Sequence, residues 1–192
     1  MINQVLNHYR QIFQGLEKLP QAALEVGALP TQHGILTCDE LKQVPKKIGI
    51  NLQESGYFAG VEVITGDARC MPFEDNSFDL IVSSSTLEHI PDFWLACNEM
   101  KRVLAPEGML IINAPGLVEK ASGNKIRRIA SIFNLPDFIK RTTMTFPIHD
   151  APHDYYRFTI HSFQDVIMQG LSDVKIWSIM SPPRIFATGI KR

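Results

Sequence analysis

The chain has 192 residues, of which 45% are hydrophobic and 20% charged, and a formal net charge of −1. That length and apolar share suit one domain with a substantial core, and the charge balance excludes a protein built to coat nucleic acid, which needs a basic field. Cys38, Cys70 and Cys97 contain no Cys-x-x-Cys pair, so neither a disulfide framework nor a zinc site is expected; no apolar run reaches the roughly 20 residues of a membrane span.

Val5, Leu6, Tyr9, Ile12, Phe13 and Leu16 share one helical stripe, which predicts an amphipathic helix over residues 3–18, closed by Pro20. Its polar interruptions (Asn3, Gln4, Asn7, His8, Arg10) do not suit a signal peptide, so the expected location is cytoplasmic. Residues 22–27 read as the first strand, 35–43 as a helix and 46–52 as the second strand. Residues 53–59 leave room for a helical turn or two, and Val61–Thr65, alternating and β-branched, is the third strand.

The turn cluster Glu74-Asp75-Asn76-Ser77 precedes a fourth strand over 79–83, whose short apolar run Leu80–Val82 suits burial on both faces. Residues 92–104 form the clearest helix, with Asp92 as its cap and Pro106 and Gly108 beyond its end; 109–116 make the fifth strand and its exit turn. Such alternation implies parallel pairing with right-handed crossovers. It stops in an insert, 117–159, made basic by Lys120, Lys125, Arg127, Arg128, Lys140 and Arg141. Two readings of the insert compete: a cationic lid over a substrate, or a solvated helix on the domain edge. Thr159 caps a helix to about Met168, and 174–177 with 185–189 form a closing hairpin around Pro182-Pro183. There is no internal repeat, so residues 1–192 read as a single domain.

Ligands of open α/β sheets lie beyond the carboxyl ends of the strands. Two neighbouring tips carry polar groups there, Asp67 after the third strand and Ser84 and Ser85 after the fourth, and the site is expected between them.

Gly66-Asp67-Ala68, Met71-Pro72-Phe73, Ser77-Phe78-Asp79 and Leu87-Glu88-His89-Ile90, in that order and spacing, resemble the central block of class I S-adenosylmethionine-dependent methyltransferases of the type 11 group. The resemblance implies a Rossmann-like three-layer α/β sandwich with a mostly parallel seven-stranded sheet whose last strand is antiparallel. It also implies S-adenosyl-L-methionine as cofactor. Carried over residue by residue, it puts Glu25, Gly27 and Ala28 at the methionine end and Asn51 where the family holds the ribose with a carboxylate. Leu52 and Met71 would sandwich the purine, Asp67 and Ala68 would read its edge, and Ser84 and Ser85 would line the floor. The chain departs from the family pattern at Leu29, which stands in the place of a second glycine, at Pro30, which lacks an N–H, and at Asn51.

Asp154-Tyr155-Tyr156-Arg157-Phe158-Thr159 resembles a second segment of the same group. The base candidates are His89, His149, His153 and Tyr155; Tyr156 and Arg157 face the substrate, Arg157 either clamping an anion or pairing with Glu88 or Asp154. His149, His153 and Asp154 lack a recognisable ligand motif, so no metal is expected.

Ser83-Ser84-Ser85-Thr86 stands where nucleic-acid amino methyltransferases carry Asn-Pro-Pro-aromatic, so the acceptor is expected to be a small molecule or glycan, methylated on a hydroxyl oxygen, and not a nucleic acid. A homodimer is compatible with the sequence. The alternative is a methyltransferase-like binding or regulatory module without catalysis, which Leu29, Pro30 and Asn51 favour. A nicotinamide-dependent dehydrogenase fails for want of the phosphate-binding glycines.

Overall fold

Apolar residues at consecutive positions of the central strands give each strand two faces to bury, and that sets the architecture. The computed structural model describes residues 3–31, 34–117, 153–180 and 183–192. Eight strands form one sheet: β1 (Ala22–Val26), β2 (Lys46–Asn51), β3 (Gly56–Phe58), β4 (Val61–Thr65), β5 (Phe78–Ser84), β6 (Leu104–Pro115), β7 (Ser172–Met180) and β8 (Pro183–Ile190). Their order is β3-β4-β2-β1-β5-β6-β8-β7. β4, β2, β1, β5 and β6 run parallel, whereas β3 is antiparallel to β4, and β8 is antiparallel to both β6 and β7.

Ala23, Leu80, Val82 and Ile111 face one side, where α1 (Asn3–Gln14) contributes Val5, Tyr9 and Phe13. Leu24, Val26, Ile81, Leu110 and Ile112 face the other. There they meet α2 (Phe93–Val103) and α3 (Ile160–Ser162), which continues as a π-helical turn over Phe163–Ile167. The arrangement is the expected three-layer sandwich with its last strand antiparallel, and it carries one strand more than the expected seven.

The extra strand is β3, in the segment expected to hold a helical turn. Ala59 and Gly60 both have positive φ (49° and 81°) between the paired residues Phe58 and Val61. A two-residue loop of that kind matches the twist of a hairpin and folds the segment back on β4. The helix expected over 35–43 is instead two 3-10 turns, Ile35–Thr37 and Asp39–Leu41, separated by Cys38 in extended conformation (ψ 146°). α1 ends at Gln14 and winds down through i→i+3 bonds at Gly15 and Leu16. β6 starts at Leu104, five residues before the expected 109. Asp92 precedes α2 without a side-chain cap bond, because its carboxylate is turned to Arg69. Thr159 does cap α3: Ser162 N–H donates to its hydroxyl, and Thr159 N–H donates to the Ser162 hydroxyl. Most of the insert, residues 118–152, lies outside the described residues. Among those described, no helix is long and apolar enough to cross a membrane.

One buried bond network ties α1 to the end of the sheet where the strands stop. The Tyr9 hydroxyl donates to the Ser83 carbonyl (2.7 Å) and accepts from Asn113 Nδ2 (3.3 Å), which also donates to Ser84 Oγ (3.1 Å). Complete burial raises the phenol's pKa and keeps it protonated as a donor. Tyr9→Phe keeps the ring but removes the buried hydroxyl that donates to the Ser83 carbonyl and accepts from Asn113, so unfolding in urea should show a loss of about 1–3 kcal/mol.

Candidate functional site

β1, β2, β4 and β5 are parallel, so their carboxyl ends, Val26, Asn51, Thr65 and Ser84, lie on one edge of the sheet. The loops leaving them enclose a cavity of about 250 Å³.

Its first wall is the β1 tip. Gly27 has φ 84°, and a Cβ there would lie 2.0 Å from Thr86 Oγ1. The Thr86 hydroxyl donates to the carbonyls of Val26 (3.1 Å) and Ser84 (3.2 Å), joining the β1 and β5 tips against the bare glycine. Leu29 is 50% exposed and does not line the cavity. Pro30 also lies outside the lining; its ring is the nearest neighbour of Gly56, at 3.1 Å from where a Cβ would be. The two departures therefore leave the hollow beside Gly27 open.

Asn51 and Leu52 form the next wall with Ile50. The Asn51 side chain is a staple. Its Oδ1 accepts from the N–H groups of Gln53 (3.0 Å) and Glu54 (3.1 Å), and its Nδ2 donates to the Ala28 carbonyl (2.8 Å). A carboxylate would set a second acceptor against that carbonyl, so this contact selects the amide.

Opposite lie Asp67, Ala68 and Arg69. The Asp67 carboxylate accepts from the Arg69 N–H (2.8 Å) and from its guanidinium (2.7–3.1 Å), and Arg69 Nη1 also reaches Asp92 (3.4 Å). The guanidinium holds the Asp67 carboxyl below its ordinary pKa.

The floor comes from the β5 exit. Ser85 sits at φ 53°, a conformation that costs a non-glycine residue about 1–3 kcal/mol. It is held by its N–H to the Asn113 carbonyl (3.1 Å) and by Arg184 Nη1, which donates to its hydroxyl. Beyond it, the 3-10 turn Leu87–His89 brings His89 to the cavity wall. His89 Nδ1 lies 2.6 Å from the His153 carbonyl oxygen, and Nε2 is 3.9 Å from Glu88 Oε1.

Of the sequence-derived residues, Gly27, Asn51, Leu52, Asp67, Ala68, Ser85 and His89 line the cavity. Glu25, Ala28, Met71 and Ser84 do not. Glu25 is buried and accepts the Leu36 N–H (3.0 Å), and burial pushes its pKa up. Ala28 is buried beneath the loop, and Met71 is in the core with its N–H on Glu99 (2.7 Å). Ser84 accepts from Asn113.

His153 contributes its carbonyl to His89 and sets its ring at a tilt beside Tyr155 (5.7 Å between centroids), which is 49% exposed. Tyr156 donates its hydroxyl to the Pro91 carbonyl (2.5 Å) and packs edge-on against Phe93. Arg157 pairs with Asp154 through both terminal nitrogens, the structural alternative to an anion clamp. His149 lies outside the described residues. Among those described, no group of three His, Cys, Asp or Glu side chains could hold a metal.

Sequence reasoning gave no site role to Ile50, Arg69, Thr86 and Pro91, nor to the motif residues Gly66 and Ile90, all of which line the cavity. Arg69 and Thr86 are within two residues of positions it singled out. Arg184 carried no local signal, since it meets Ser85 only once β8 pairs with β6.

Residues 24–112 match the family model of a methyltransferase domain. The chain is 34% identical over 79 residues to the demethylmenaquinone methyltransferase of Staphylococcus haemolyticus, covering 41% of this chain and 32% of that protein. The Staphylococcus aureus counterpart is 39% identical over 62 residues, covering 32% of this chain and 26% of that one. The chain thus spans a third or less of the length of the curated relatives it matches. Among solved structures, Haemonchus contortus phosphoethanolamine N-methyltransferase 2 in complex with S-adenosyl-L-methionine superposes with a TM-score of 0.66 at 14% identity, over 98% of this chain and 52% of that one. The YcgJ protein of Bacillus subtilis gives 0.65 at 14%, over 97% and 98%. At such identities the structural likeness speaks for the fold alone. The matched stretch, just under half of the chain, builds most of the strands from β1 to β6 and the whole cavity wall, and there the chain is similar to methyltransferases.

Proposed function

We propose that this protein transfers a methyl group from S-adenosyl-L-methionine to a hydroxyl oxygen of a small-molecule or glycan acceptor. The observation that carries this reading is the open cavity at the strand tips, where Gly27 leaves the backbone bare and Leu29 and Pro30 stand outside. The residues present fit the cofactor: Ile50 and Leu52 offer apolar contact for a purine, and Asp67 offers an acceptor to its amine. Gly27 permits close approach at the methionine end. When bound, the cofactor supplies an electrophilic methyl group on a sulfonium sulfur.

The chain's own work is to orient the two reactants, exclude water and take a proton. His89 is the base this reading prefers, since it lines the cavity whereas His153 offers its carbonyl and Tyr155 is exposed. Relatives named for demethylmenaquinone support a small acceptor over a nucleic acid. The reading takes residues 117–159 to cover that acceptor, places the reaction in the cytoplasm and leaves room for a homodimer. The second reading, a binding module without catalysis, is favoured by one observation: the amide of Asn51 is spent on the protein's own backbone.

Thermal unfolding with S-adenosylhomocysteine separates the two. At a hundredfold excess over Kd the wild type should gain about 5–10 °C, and Asp67→Ala should lose most of that gain; no response at millimolar ligand would favour the module. Asn51→Asp restores the carboxylate common in the family yet opposes the Ala28 carbonyl. Calorimetric titration should show no tighter S-adenosylhomocysteine binding, and urea unfolding should show a loss of about 1–3 kcal/mol.

A further inference from the structure

Glu88 has no exposed surface, and among the described residues neither of its carboxylate oxygens has a hydrogen-bond partner. Native interiors contain few such atoms, and each one asks for a reason. Glu25, the other buried glutamate, is hydrogen-bonded to the backbone at Leu36. Packing does not explain Glu88, since an apolar side chain of similar size would fill the space without an unsatisfied acceptor.

Its surroundings suggest a reason. The His153 carbonyl can only accept, so His89 Nδ1 carries the proton of the hydrogen bond between them. In the neutral ring the lone pair is therefore on Nε2, the atom 3.9 Å from Glu88 Oε1. An ionised carboxylate facing that nitrogen sets lone pair against lone pair. The arrangement is relieved by one proton, carried by the carboxyl or by the imidazole.

The charged groups around Glu88 act in both directions. Arg184 from β8 and His89 favour its ionised form, and Asp154 opposes it. Arg157, ahead of α3, feels Glu88 as well but is paired with Asp154. Burial decides the outcome and pushes the Glu88 carboxyl up to about 7.

We propose that Glu88 is a positioning residue for the methyl transfer, sharing one proton with His89 and so governing when Nε2 can take a proton from the acceptor. The inference rests on the reading of His89 as the base. The acceptor's proton passes to Nε2, and the imidazolium so formed is compensated by the ionised Glu88 carboxylate. With Glu88 protonated, that compensation is missing.

The experiment is a pH titration of the 15N-labelled histidine side chains from pH 5 to 9, in wild type and Glu88→Gln, with thermal unfolding of both across the same range. The pH response of the His89 resonances should differ between wild type and the variant, because Nε2 faces Glu88 Oε1 at 3.9 Å. The stability sign also follows. Glu88 has a raised pKa in the folded state, so ionising it there costs stability as pH climbs from the unfolded value, near 4.5, to about 7. Glu88→Gln should therefore melt a few degrees above wild type at pH 8, with the difference closing towards pH 5. Identical His89 titrations, or a variant no more stable at pH 8 than wild type, would overturn the proposal. If Gln at this position does not fold, Glu88→Met carries the same comparison. Wild-type stabilisation by S-adenosylhomocysteine reports on the methyl-transfer reading separately, because the histidine titration needs no cofactor.

Discussion

The join between Thr86 and Gly27 holds the site together. One hydroxyl donates to the carbonyls of Val26 and Ser84, and the fit is possible only because residue 27 has no side chain. Thr86 lies within reach of both carbonyls, the first of which also accepts from the Ser83 hydroxyl, and ties the two strand tips together at the cavity wall. The glycine is thus demanded by the protein's own packing before any ligand is considered, and the same bareness lets a ligand approach the backbone.

Other parts of the cavity follow a similar plan, with backbone walls fastened by side chains from elsewhere. Tyr9 on α1 and Asn113 on β6 hold the exit of β5. Arg184 on β8 reaches Ser85, the strained floor residue. Asn51 pins the loop after β2 to the loop after β1. Strain of this kind persists where several neighbours over-determine it, and here the fastening residues come from α1 and three strands.

Charge is handled differently on the two sides of the cavity. On the Asp67 side, Arg69 bridges two carboxylates at a partly exposed rim, where screening keeps each pair's worth small. On the His89 side, Glu88 is enclosed without a hydrogen-bond partner among the described residues, while Arg184 and Arg157 spend their terminal nitrogens on Ser85, Asn113 and Asp154. Burying a carboxylate in this way costs stability, and proteins keep such costs mainly where activity needs them.

Local chemistry alone determined most of the fold. Consecutive apolar residues in β1, β5 and β6 require two covering layers, and the stripe through Tyr9 and Phe13 supplies part of one. The strand tips, with Gly27, Asp67 and Ser85, were legible because glycine, turn residues and polar residues follow apolar runs there. Residues 53–59 and 35–43 were misread for a physical reason: a hairpin and a pair of 3-10 turns depend on pairing with β4 and on bonds such as Glu25 to Leu36, both set by distant neighbours. The roles of Asn51, Thr86, Arg184 and Glu88 were likewise decided by the tertiary structure. Each depends on which carbonyl, carboxylate or ring lies within reach, and that is settled only when strands far apart in sequence lie side by side.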